Sequence, residues 1–65
     1  MKTYETIKML CSERGISISS LEKELEIGNG TIGKWASRSS QPQLVTLLKI
    51  ARFFDVKLEY LLGEG

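Results

Sequence analysis

Histidine is absent from this chain and cysteine occurs once. The usual zinc sites need several such ligands, so no metal centre is expected. A lone Cys11 cannot close an internal disulfide. It fits a reducing, cytoplasmic setting and reads as a small core residue. Long apolar runs are missing as well. The longest uncharged stretch falls far short of the roughly 20 residues that span a bilayer, and Met1-Lys2-Thr3-Tyr4-Glu5 carries no apolar signal region. Charge of one sign is scarce: nine basic and eight acidic residues leave a net +1, which by itself does not argue for a nucleic-acid partner. No segment alternates with period two long enough for a strand, and there are no repeats or linkers. Sixty-five residues make one small domain spanning 1–65, with no room for a substrate cavity beside its core. An enzyme, a cofactor and a small-molecule substrate are therefore not expected.

What is present is helical periodicity, and 42% of the residues are hydrophobic. Tyr4, Ile7, Leu10 and Cys11 share one face of a first helix that Thr3 can cap and that runs to about Arg14. Gly15 suits a left-handed stop. Ser17 is a candidate cap for a second helix, about 18–26. Ser19 with Glu22 also fits a capping box, but Ser17 keeps Ile18, Leu21 and Leu25 on one stripe. A third helix is expected over about 29–37, with Ile32 and Trp35 facing the core. A polar loop closed by the single proline, Pro42, precedes a fourth helix over about 43–54. Leu44, Leu47, Leu48, Ala51 and Phe54 form its expected apolar face. A short fifth helix, about 58–62, ends at Gly63. The fold class is all-α, a compact five-helix bundle.

The most informative stretch is 15–35. Two short amphipathic runs meet at Ile27-Gly28-Asn29, the pattern of a helix-turn-helix over about 18–37. In that motif the second helix is held out to enter the major groove of DNA. The charge distribution agrees better than the total does. Residues 27–52 hold Lys34, Arg38, Lys49 and Arg52 and no acid. Glu22, Glu24 and Glu26 read as a solvated face of the second helix. Gly28, Gly30 and Gly33 do not make a phosphate loop, because no strand precedes them and no Lys-Ser/Thr pair follows. Asn29 has the chemistry to bond adenine, and Lys34 to donate to guanine.

Gly15-Ile16-Ser17, Leu21, Leu25, Ile27, Thr31-Ile32, Pro42, Leu47, Ile50-Ala51, Phe54-Asp55-Val56 and Tyr60-Leu61-Leu62-Gly63 together resemble the Cro/C1-type, or XRE, helix-turn-helix family. Phage repressors and small bacterial regulators belong to it. The resemblance covers nearly the whole chain. It implies a lambda-repressor-like bundle that binds a double-stranded DNA operator as a cytoplasmic, nucleoid-associated regulator, expected to be a repressor. Carried over position by position, base reading falls on Asn29, Gly30, Thr31 and Lys34. Backbone contacts fall on Arg38, Ser39 and Ser40, while Ser17 and Ser19, with the amides of the helix start, are expected to replace the family's phosphate-binding Gln. One recognition helix reads too few base pairs to select a site in a genome, so a homodimer on DNA is expected, and Leu58, Tyr60 and Leu61, with Leu62, offer it a contact. The departures are Ile18, where the family often has a phosphate-binding Gln, Gly28, where Ser or Thr is usual, and Lys57, where a Ser or Thr would cap the last helix. Glycines within the third helix cost roughly 1 kcal/mol each against alanine, so this helix is expected to fray when free. The alternative reading is a protein-interaction module, antitoxin-like or antagonising a repressor, that keeps the fold and has lost DNA recognition.

Overall fold

The computed structural model describes residues 2–37 and 41–63. They form α1 (Lys2–Arg14), α2 (Ile18–Glu24), α3 (Thr31–Ala36), α4 (Leu44–Phe54) and α5 (Leu58–Leu61), with no strand among the described residues. The order and number of helices follow the periodicity. α1 lies at the centre and touches α2, α3 and α5, while α2 packs on α3 and α4 on α5.

Every helix contributes to one core. Ile7, Leu10 and Cys11 enter it from α1, and Leu21 from α2. Ile32 and Trp35 enter from α3, Leu47, Ile50, Ala51 and Phe54 from α4, and Leu61 from α5. Trp35 is the largest of the fully buried side chains, so the α3 face opposite it is forced outward. At the far end of the bundle the Arg14 guanidinium sits 5.7 Å from the Phe53 ring centre and 5.4 Å from that of Phe54. This cation–π contact ties the end of α1 to the end of α4.

The helix ends are set by local chemistry. At Gly15, φ is 70°, and the bonds Gly15 N–H to Ser12 O and Ile16 N–H to Cys11 O close a Schellman stop. The same pair of bonds recurs after α2, where Glu26 takes φ 58°, and after α4, where Asp55 takes φ 56°. Those two positions lack glycine, so each holds a side chain in the sparsely allowed left-handed region. The cap of α2 is Ser17, whose Oγ accepts from Ser20 N–H at 3.1 Å.

Three expectations need correction. Thr3 does not cap α1 but lies inside it, 8% exposed, because the helix already begins at Lys2. The inward face of α4 is turned toward Thr46 and Ile50. Leu44, at 61% exposure, and Leu48, at 38%, lie outside it. α3 begins at Thr31, not Asn29, because Gly28 to Thr31 form a turn closed by Thr31 N–H to Gly28 O at 3.1 Å.

Candidate nucleic-acid interface

α2, the turn over 25–30 and α3 make one continuous surface. The turn has two parts. Leu25 and Glu26 end α2, and the Schellman bond from Ile27 N–H to Glu22 O then drops Ile27 against the core. The tight turn that follows places Gly30 at φ 86°, the left-handed value that the third residue of a type II turn requires. The first bond of α3, Lys34 N–H to Gly30 O at 3.0 Å, starts from there.

Gly30 has no side chain with which to cap α3. The cap comes from α2. Glu22 Oε1 accepts the Gly30 N–H at 2.9 Å, and Glu22 Oε2 accepts the Ile32 N–H at 2.7 Å. Glu22 is only 2% exposed. This overturns its assignment to a solvated acidic face. It also excludes the Ser19–Glu22 capping box, since the Glu22 carboxylate is committed to α3. The carboxylate is stable there because it accepts two backbone amides at the positive end of a helix. A signal for it was available. Ile18, Leu21, Glu22 and Leu25 follow helical spacing along the inner face of α2, whereas Glu24 and Glu26 lie outside it.

The residues expected to read bases lie at the start and on the outer side of α3. Asn29 and Lys34 are exposed, and Gly30 and Thr31 half-buried. Thr31 also borders a cleft of about 350 Å³ between the α2–α3 turn and the start of α4, lined further by Trp35, Gln41, Gln43 and Thr46. Of the residues expected at the phosphates, Ser17 and Ser19 are exposed at the start of α2. The Ser17 hydroxyl donates to Ser20 Oγ at 3.0 Å. Arg38, Ser39 and Ser40 lie outside the described residues. Asn29 to Lys34 and Ser17 to Ser19 thus belong to two adjacent elements tied by Glu22. Every charged residue in the described part of 27–52 is a Lys or Arg.

The residues expected at a dimer contact separate. Leu61 is fully buried in the core and presents no side chain to a partner. Leu58 is half-buried, and Tyr60 is 37% exposed beside Leu62 at 40%. Among the described residues no group of three or more His, Cys, Asp or Glu is placed to hold a metal, and no helix is long and apolar enough to cross a membrane.

A family model described as helix-turn-helix matches residues 7–61, from the core of α1 to the end of α5. No curated protein and no solved structure matches the chain.

Proposed function

The chain belongs to the Cro/C1-type helix-turn-helix family of DNA-binding regulators, and from that premise we propose that it is a sequence-specific repressor that inserts α3 into the major groove of operator DNA. Asn29 and Lys34 read base edges there. Thr31 lies on the adjoining backbone or a thymine methyl, and Gly30 admits the backbone closely. Ser17 and Ser19, with the first amides of α2, hold one phosphate strand. Arg38, Ser39 and Ser40, which follow α3 in the sequence, hold further phosphates. The observation that carries this reading is the placement of α3: Ile32 and Trp35 anchor one face in the core, while Lys34 is exposed on the other and Asn29 is exposed in the turn that leads into the helix.

One α3 covers only a few base pairs, too few to select a site within a genome. A two-fold pair with half-sites about 34 Å apart doubles the reading. Tyr60 and Leu62, flanked by Leu58, supply the contact between protomers. The patch is small, so pairing is completed on DNA.

The test compares Lys34→Ala, Asn29→Ala and Arg38→Ala on a duplex recovered by selection with the parent protein. Each of the first two substitutions should cost about 1–3 kcal/mol and relax the preference at particular bases. Arg38→Ala should weaken all duplexes alike and lower the salt slope by about one. Parent-like binding by all three variants would remove α3 from the role of reader. Failure of the parent to recover any duplex would favour the protein-interaction alternative.

A further inference from the structure

We infer that Glu22 is a positioning residue for DNA recognition, a carboxylate on α2 that fixes where α3 begins and how it is held. The inference rests on the reading that α3 meets DNA, and it assigns to Glu22 a part in that reading without contact to DNA. α3 has six residues and carries Gly33 within them. A helix so short has no stability of its own in water, and its first amides need partners from outside. The Thr31 amide is bonded to Gly28 O, and the Ile32 and Gly30 amides to the two oxygens of Glu22. Asn29 therefore sits in a turn whose closing residues are tied down on both sides. Lys34 follows one helical turn beyond the tie. The buried carboxylate reaches across from a different helix, so it sets the position of α3 relative to α2 as well as its start. It also occupies the Gly30 and Ile32 amides, so neither is open to a phosphate.

The experiment uses Glu22→Gln and Glu22→Ala, each first shown to be folded by circular dichroism well below its melting temperature. Two probes are used: a duplex recovered by selection with the parent, and a scrambled duplex of equal length. Amide hydrogen exchange at Gly30 and Ile32 is followed in parallel. Glu22→Ala should lose protection at those two amides and bind the recovered duplex roughly 10–100-fold more weakly, with a change of less than about threefold on the scrambled duplex. Glu22→Gln keeps one acceptor oxygen and should fall between. Folded Glu22→Ala that binds the recovered duplex like the parent overturns the inference. So does an equal loss on both duplexes. If Glu22→Ala does not fold, Glu22→Gln decides: parent-like affinity for the recovered duplex despite lost protection at Gly30 or Ile32, or reduced affinity with protection unchanged at both, is the refuting result. A parent that cannot tell the two duplexes apart overturns the DNA reading and this role with it. A discriminating parent with an indifferent variant overturns this role alone.

Discussion

Replacing Glu26 by glycine should make the protein more stable. Glu26 is exposed, holds φ at 58° and ends α2 through its N–H to Lys23 O at 3.2 Å. A left-handed backbone costs a residue with a Cβ about 1–2 kcal/mol. Glycine removes that strain but adds about 0.5–1 kcal/mol of entropy to the unfolded chain. The balance is a gain of about 0.5–1 kcal/mol. A domain of this length has roughly 3–10 kcal/mol of stability in all, so the change is readily measured. It corresponds to a rise of about 2–8 °C in Tm. Thermal melts by circular dichroism provide the assay, with Glu26→Ala as the control. Alanine keeps the strain and should melt close to the parent. Asp55→Gly should gain less than Glu26→Gly, because aspartate tolerates the left-handed region better. A Glu26→Gly variant that melts at or below the parent, with Glu26→Ala unchanged, would refute the claim that strain is stored at this turn.

Trp35→Ala should cost about 3–5 kcal/mol of stability, since the ring is 1% exposed at the centre of the core; chemical denaturation checks this, and a parent-like midpoint with lost DNA binding would make Trp35 a contact residue instead. Burial raises the Cys11 thiol above its ordinary value, so its contribution to stability is complete below that ordinary value and is lost as pH rises from there through the raised one. The stability advantage of the parent over Cys11→Ala should therefore shrink toward alkaline pH in paired urea titrations, and a constant difference would contradict it. Two protomers should occupy each symmetric duplex in analytical ultracentrifugation, and Tyr60→Ala should weaken that second occupancy. A one-to-one complex at saturating protein would exclude the pair.

The parts of the fold that were legible are those where one residue type answers a local demand. Gly15 stops α1 because a left-handed residue is needed there, and Ser17 caps α2 because its hydroxyl reaches the Ser20 amide. Trp35 and Ile32 declare the inner face of α3 by their spacing. Other features depend on partners distant in sequence. Glu22 looks like one more acid beside Glu24 and Glu26 until α3 packs against α2, because its bonds span eight and ten residues. Periodicity alone starts α3 two residues early, because Gly28-Asn29-Gly30 has no strong preference of its own and the tertiary cap selects Thr31. Leu44 and Leu61 traded the expected roles for a similar reason. A leucine at a helix end is buried or exposed according to what the rest of the bundle lays over it, so Leu61 is covered and Leu44 is not.

Selection of bound sequences from a random duplex library tests the central claim most directly, because it assumes neither an operator nor an oligomer. The account predicts recovery of a pseudo-palindromic motif with half-sites one helical turn apart, and loss of specific half-site bases from that motif when Lys34 or Asn29 is replaced by alanine. Failure of the folded protein to enrich any motif, at a salt concentration low enough to retain non-specific binding, would contradict it.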